Sequence, residues 1–419
     1  MGLPCYPSIG DIPGPVDYVI IAVSANQTPK VIRDCALKGV KACTLFTAGF
    51  SELGTEEGIA FEREIVSIAS ETGMRLIGPN CMGIYCPGAG LYNSANLPAS
   101  SGWFGIASQS GGNAIYLGKM APRRGAPISK NVSYGNACDI NESDLIEYLA
   151  YDEETRVIGA YIEGIKDGKR FHEVLGRAAP IKPTIILKGG QTEAGAAVTQ
   201  SHTASLAGSL RIWDAVIRQS GAIQADTLDE MIDLALLFGY MKPPAGRRIG
   251  MVGIGGGISV LAADVFEQRN LSLTRLTPAI QSRLQELHPG AGNIYTNPID
   301  TTAIFYETDG FRRTLDILDG WDEIDIILLH IPYDILAFLT PEQVRHIAMA
   351  EKMLGDIGGV RKPVAMLLHC ASLKESYELS CDNQEVCWRA GIPAFTSIEG
   401  CASALDKFIR FHERKAQRV

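Results

Sequence analysis

The stretch WFGIASQSGGNAIYLGKM occupies residues 103–120. A short apolar run at 103–107 breaks into Ser108-Gln109-Ser110-Gly111-Gly112-Asn113, and a helix-forming run at 114–120 follows. Strand, glycine turn and helix in that order open a βα unit, the building block of a parallel sheet covered by helices. The same opening returns at 248–268, where RIGMV runs into Gly253-Ile254-Gly255-Gly256-Gly257 and then a helix over 259–268.

Outward from these two stretches the alternation continues in three blocks. The first, residues 1–98, reads as strands at 17–23 (DYVIIAV), 41–46 and 74–77, with helices at 28–38 and 56–72. The second, residues 99–242, continues with strands at 128–133, 157–163 and 184–188 and helices at 143–150 and 170–178, and ends in helices up to Tyr240. MKPPAG at 241–246 reads as a linker. The third block, 247–415, adds strands at 324–330, 364–369 and 393–396.

The chain has 419 residues, 46% hydrophobic and 20% charged, which excludes disorder and low complexity. Glycine, at 44 residues, is about half again its ordinary ~7% share. A net charge of −9 offers no overall basic field for nucleic acid or an anionic membrane. The ten cysteines contain no CxxC pair, Cys81 and Cys86 being the nearest two, so no zinc spacing is present. The opening residues lack a basic segment followed by an apolar core, and no apolar run approaches the ~18–20 residues of a membrane span. A reduced, cytoplasmic protein is expected.

Generic nucleotide and hydrolase motifs fail. Gly118-Lys119 is followed by Met120, so there is no P-loop. Ile258 stands where GxGxxG needs its last glycine, GxSxG is missing around Ser108 and Ser110, and HExxH is absent. What remains are two glycine loops at expected helix N-termini, Ser110-Gly111-Gly112 and Gly255-Gly256-Gly257. Free N–H groups and the positive helix end favour an anion there, although a tight turn with no ligand has the same composition.

His202 lies in KGGQTEAGAAVTQSHTASLAGS, flanked by Ser201, Thr203 and Ser205. An imidazole in an accessible loop of small residues can be a nucleophile that carries a transferred group. Glu163 ends the run VIGAYIEG, at the carboxyl end of an expected parallel strand, where it can bond one imidazole nitrogen and raise the basicity of the other. The other six histidines, 172, 288, 330, 346, 369 and 412, show no metal spacing and read as strand-end or surface residues.

Taken together, GPNCMG, SYGNACDINESDLIEYL, YIEGIKDG, SHTASLAGS and IGGG followed by TNPID resemble the NDP-forming acyl-CoA synthetases. These include ADP-forming acetate–CoA ligases and, more distantly, the succinyl-CoA synthetase α chain. The resemblance spans essentially the whole chain. It implies an α/β fold: a Rossmann-like CoA-binding domain, incomplete at its N-terminal side, followed by two flavodoxin-like domains. It implies interconversion of acyl-CoA, ADP and phosphate with acid, CoA and ATP through an acyl phosphate and a phosphohistidine. His202 matches the phosphorylated histidine, Glu163 its holder, and the two glycine loops the paired helix ends facing the phosphoryl group, with no metal on it.

The matching CoA contacts are Val23, Ser24, Ala25, Lys30, the loop Thr47-Ala48-Gly49-Phe50, and Asn80-Cys81. Against the family pattern, the strand and phosphate loop that normally open the CoA domain do not precede Asp17, and no ATP-grasp region follows Val419. A separate β-type ATP-grasp subunit, binding most of the Mg-ADP or Mg-ATP, is therefore expected in a hetero-oligomer. The competing expectations are a non-catalytic CoA- or acyl-CoA-binding module and an acyltransferase-type relative; an intact histidine loop argues against both.

Overall fold

The computed structural model describes residues 2–195, 210–301, 308–336, 357–369 and 373–417. The chain forms two compact units, Met1–Pro122 with Pro127–Met231, and Arg123–Ala126 with Ile232–Val419. The division falls inside the helix Leu228–Tyr240, not in the proline-bearing segment after it. Within it Met231, Ile232 and Leu234 to Leu237 are fully buried, so its middle behaves as core and not as the edge of a domain.

The first unit holds two sheets. In the first, β1 (Tyr18–Ile21), β2 (Ala42–Leu45) and β3 (Arg75–Ile77) lie parallel in the order β1-β2-β3. Their crossovers are α1 (Thr28–Lys38) and α2 (Glu56–Thr72). Both helices have the bounds that the sequence reading expects, because both carry clear stops: Gly39 and Gly73 end them in the left-handed region at φ 80° and 74°. Thr55 caps α2 by accepting the Gly58 N–H.

The second sheet has the order β4-β6-β5-β7-β8-β9. Its strands are β4 (Gly83–Tyr85), β5 (Phe104–Ser108), β6 (Ile128–Ser133), β7 (Val157–Ile162), β8 (Thr184–Lys188) and β9 (Ile223–Ala225). All pairs are parallel except β4 with β6. The sequence reading assigns no strand to 83–85, which fall in its first block, and none to 223–225; three-residue strands are too short for a period to show. Helices α3 (Gly111–Arg123), α4 (Glu142–Tyr151), α5 (Gly168–Ile181) and α6 (Leu210–Ser220) belong to this sheet. The chain leaves β5 first for β6 on one side and then returns to β7 on the other, so the topological switch point lies at the carboxyl ends of β5 and β7.

The two sheets of this unit are joined loop to loop. Asn136 N donates to Pro79 O at 3.0 Å and Cys138 N to Gly78 O at 3.0 Å. The Asp139 carboxylate takes the Leu76 N–H at 2.8 Å and Arg75 Nε at 2.9 Å.

The second unit centres on one further sheet, whose short strands are β11 (Ser272–Leu273), β12 (Ile294–Tyr295), β13 (Ile299–Asp300) and β16 (Ala394–Phe395); its order is β12-β13-β10-β14-β15-β16, with β11 also pairing β10. Its long strands are β10 (Arg248–Gly253), β14 (Ile326–Pro332) and β15 (Val364–His369). The helix Gly256–Gln268 follows β10, and the C-terminal helix Ile398–Gln417 packs against it. Val252, Leu318, Trp321, Leu329 and Leu368 form the core of this unit.

Candidate active site at the carboxyl edge of the second sheet

Strand β5 is buried along its length and delivers Ser108, Gln109 and Ser110 to the switch point. Ser108 Oγ donates to Ser110 O at 2.7 Å, and Ser110 Oγ accepts the Asn113 N–H at 3.3 Å. Ser110 therefore caps α3, which starts at Gly111 and not at residue 114 as the sequence suggests. The first helical bond runs from Ala114 N to Ser110 O at 3.0 Å, so the N–H groups of Gly111 and Gly112 precede it and point out of the helix end. A Cβ on Gly111 would stand 2.8 Å from Met82 Cγ, while one on Gly112 would meet only Ser110 Oγ, at 3.9 Å.

Glu163 follows β7 directly, and Gln109 fixes the turn. The Gln109 amide oxygen accepts Glu163 N at 2.8 Å and Gly164 N at 3.1 Å, while Gln109 N donates to Tyr161 O at 3.0 Å. Glu163 is 7% exposed, and its Oε2 is buried with no hydrogen-bond partner. A buried carboxylate oxygen left open is costly, and it marks a place that another group is built to fill.

The surroundings are acidic and closed. Burial pushes the Tyr161 phenol up to about 12, assisted by the Glu163 charge, and Tyr161 also meets the Asn113 side chain. Tyr134 is wholly buried, its hydroxyl unpartnered, and burial together with Glu142 and Glu163 raises it far above its usual range. Burial pushes Glu142, on the first turn of α4, up to about 7. Lys188, the last residue of β8, donates to Glu163 O at 2.6 Å. Gln109, Tyr134, Glu142, Tyr161 and Lys188 all lie within stretches that the sequence reading quotes, but it gives none of them a role, because their partners are distant in the chain. His202, Ser201, Thr203 and Ser205 lie outside the described residues.

The expected CoA contacts gather at the carboxyl edge of the first sheet. Thr47 Oγ1 donates to Val23 O, Asn80 N donates to Thr47 O at 2.9 Å, and a Cβ on Gly49 would touch Ala25 Cβ at 3.0 Å. Val23, Ala25, Thr47, Gly49 and Asn80 thus form one rim, with Ser24 exposed beside Val23 and Ala48 next to Thr47. Lys30 is exposed in the first turn of α1. Cys81 differs: its side chain is in the core, Sγ bonded to Leu45 O at 3.5 Å and Ile77 O at 3.6 Å, and burial pushes the thiol up to about 12.

Asn136 connects this rim to the second sheet. Its Nδ2 donates to Glu52 Oε2 at 2.5 Å and Glu62 Oε2 at 3.1 Å, and Glu52 Oε1 accepts Gly49 N at 2.5 Å. This contact also escapes the sequence, because its three residues are far apart in the chain.

In the second unit, Gly255 has φ 95° and caps the helix that starts at Gly256. Its N–H is already taken by Asp300 Oδ1 at 3.0 Å, and a Cβ on Gly256 would stand 3.1 Å from Asp300 Oδ2. Asp300 ends the TNPID motif. His288 and His330 are 2% and 0% exposed, buried where the sequence suggests strand-end or surface positions. Among the described residues no His, Cys, Asp or Glu group is arranged to hold a metal ion, and no helix is long and apolar enough to cross a membrane.

Two family models match: a CoA binding domain over residues 1–87 and a succinyl-CoA ligase like flavodoxin domain over residues 101–238. The chain is 36% identical over 404 residues to the α subunit of acetate–CoA ligase (ADP-forming) II of Pyrococcus furiosus, covering 96% of this chain and 85% of that one. It is 34% identical over 419 residues to acetate–CoA ligase (ADP-forming) I of Archaeoglobus fulgidus, covering 100% of this chain and 58% of that longer one. In structure it is similar to the dinucleotide forming acetyl-coenzyme A synthetase 1 of Candidatus Korarchaeum cryptofilum, solved with phosphate and ADP. The TM-score there is 0.80 at 29% identity, over 99% of this chain and 87% of that one. By a likeness that runs over almost its whole length, the chain belongs to the family of ADP-forming acyl-CoA synthetase α subunits.

Proposed function

We propose that this chain is the α-type subunit of an acid–CoA ligase that forms ADP, and that His202 is its phosphocarrier. The observation that carries this reading is Glu163: a buried carboxylate oxygen with no partner, at the switch point, beside the open helix end at Gly111 and Gly112. An imidazole that donates its N–H to Glu163 gains basicity at its other nitrogen and faces the place where a phosphoryl group is favoured.

In the direction of ATP synthesis, a phosphate oxygen attacks the thioester carbonyl and the C–S bond breaks. CoA leaves as the thiol with one proton, giving an acyl phosphate. The free nitrogen of His202 then attacks phosphorus, the P–O bond to the acyl group breaks, and the carboxylate leaves. The phosphoryl group passes to ADP. Ser110, Gly111 and Gly112 stabilise charge on the transferring group by fixed N–H dipoles, and Gly256 and Gly257 form a second helix end, behind Gly255, whose own N–H Asp300 holds. Residues 1–98 bind CoA at the rim of Val23, Ser24, Ala25, Thr47, Ala48 and Asn80 with Lys30, and Cys81 holds that rim's backbone from inside the core. Residues 99–242 carry the histidine loop and 247–415 the second glycine loop. A β-type ATP-grasp subunit supplies the Mg-ADP or Mg-ATP site, in a cytoplasmic hetero-oligomer.

The test is thioester formation. The chain with its ATP-grasp partner, given ATP, Mg²⁺, CoA and acetate or a panel of other acids, forms acyl-CoA. The His202→Asn variant, folded as judged by its melting curve, forms none; turnover near the normal rate by that variant refutes the proposal.

A further inference from the structure

Met82 stands between the CoA rim and the open end of α3. On the rim side, Asn80 N donates to Thr47 O at 2.9 Å. The N–H of Met82 itself goes to Ser133 Oγ at 3.2 Å, and Ser133 ends β6 beside Ser108, the last residue of β5. The residues on either side hold this backbone in place. Cys81 Sγ is bonded in the core to Leu45 O at 3.5 Å and Ile77 O at 3.6 Å, and a Cβ on Gly83 would stand 2.5 Å from Thr44 Cγ2. The Met82 side chain lies against Gly111, where an added Cβ would be 2.8 Å from Met82 Cγ and 3.7 Å from Met82 Cβ. Cys81 and Gly83 are buried, whereas Met82 between them is only partly so. The first N–H groups of α3 thus have beside them an apolar, flexible side chain with some of its surface open.

We infer that Met82 determines which acids the site accepts, and that these are short monocarboxylic acids with an apolar chain. This rests on the reading of the chain as an acid–CoA ligase. In that reading the CoA sulfur reaches the rim at Asn80, and phosphate sits at the N–H groups of Gly111 and Gly112. The thioester carbonyl carbon is bonded to the first and attacked by the second, so it lies between them. The acyl chain starts from that carbon, and Met82 is the side chain that the fold places there. A thioether on three rotatable bonds packs against a short alkyl chain, and a bulky one must push it aside at a cost. A second carboxylate on the acid gains no counter-charge. The ammonium groups described near Glu142 and Glu163 are spent on main-chain oxygens, Lys166 Nζ on Ala137 O at 3.0 Å and Lys188 Nζ on Glu163 O at 2.6 Å. A charge brought out of water without a partner is disfavoured.

The experiment uses the complex of the full chain with its ATP-grasp partner and reads kcat/KM for acetate, butyrate, phenylacetate and succinate, with the KM for CoA measured alongside. Met82→Ala is expected to raise the phenylacetate-to-acetate ratio of kcat/KM by on the order of tenfold, with the KM for CoA unchanged. Met82→Phe fills the same space and lowers the butyrate-to-acetate ratio by a similar factor; it decides the matter if the alanine variant does not fold. Met82→Leu, of nearly equal volume, keeps the wild-type order of acids. Ratios that stay at the wild-type values in folded variants, or a loss of the same size for every acid, overturn the inference while wild-type turnover leaves the ligase reading standing. Succinate used as well as butyrate by the wild type overturns the assignment to monocarboxylic acids. A folded, assembled wild type that forms no thioester from any of the four acids refutes the underlying reading, and the inference with it.

Discussion

Asn136→Asp changes one atom and should both loosen the join between the two sheets and disturb the CoA rim. The Asn136 amide nitrogen sits 2.5 Å from Glu52 Oε2 and 3.1 Å from Glu62 Oε2. Both neighbours are carboxylates, which only accept, so the donor face of the amide must point at them. An aspartate there becomes a third carboxylate in the cluster. The least costly response is to hold one proton, which restores one of the two hydrogen bonds. Holding it on a carboxyl of ordinary pKa ~3.9 costs at most about 5 kcal/mol at pH 7.5 and about 2 kcal/mol at pH 5.5, at ~1.4 kcal/mol per unit. The hydrogen bond not restored adds about 1 kcal/mol at every pH. Glu52 also accepts the Gly49 and Phe50 N–H groups, at 2.5 and 3.2 Å, so the 47–50 loop shifts with it. The assay is urea unfolding at pH 7.5, 6.5 and 5.5, paired with CoA titration calorimetry. We expect a destabilisation of several kcal/mol at pH 7.5 that shrinks as pH falls, and CoA binding weakened several-fold. A penalty below ~1 kcal/mol, or one that does not change with pH, refutes the reasoning.

Other outcomes follow from single contacts. Gly135 has φ 51°, and a Cβ there would stand 2.2 Å from Pro79 O and 2.5 Å from Asn80 O. Gly135→Ala should therefore cost about 3 kcal/mol in chemical denaturation and weaken CoA binding, by pushing the 78–83 loop away. In the second unit, burial raises the Asp325 carboxyl, but hydrogen bonds from Arg248 outweigh it and hold it below the usual carboxylate range. The contacts are 2.7 Å from Nη2, 2.9 Å from Nε and 2.9 Å from the backbone N–H. A depressed folded-state pKa stabilises above the unfolded value and stops doing so as pH falls through the folded one. Asp325→Asn should thus lose about 2 kcal/mol at pH 7, a gap that closes at strongly acidic pH; an equal gap at both ends of the range contradicts this assignment.

The sequence was legible wherever a local signal was strong. Glycine stops at Gly39 and Gly73 set the ends of α1 and α2, and runs buried on both faces mark β6, β8 and β15. Glu163 could be picked out because a carboxylate at the end of an apolar run is visible in one dimension. The pairing of β4 with β6 could not, since three residues carry no period and an antiparallel return needs no crossover helix. Gln109, Asn136 and Lys188 act through partners 54, 84 and 25 positions away. Their roles are tertiary, and nothing in their neighbours announces them. Asp300 lay within a quoted motif, but its bond to Gly255 appears only once β13 (Ile299–Asp300) is placed beside β10. The unit boundary within the helix Leu228–Tyr240 was hidden for another reason: a proline-rich segment is a good local sign of a linker, whereas the burial of residues 231–237 appears only once the chain is folded.

The central claim is that His202 carries phosphate and Glu163 holds it. The most direct measurement is the label itself. The chain is assembled with its ATP-grasp partner, given Mg²⁺ and ATP radiolabelled on the γ-phosphate, and examined for acid-labile, base-stable label on the α chain. The account predicts label on the wild type, none on His202→Asn, and much slower labelling of Glu163→Gln in a folded complex. Label that survives in His202→Asn, or its absence from a folded and assembled wild type, would contradict it.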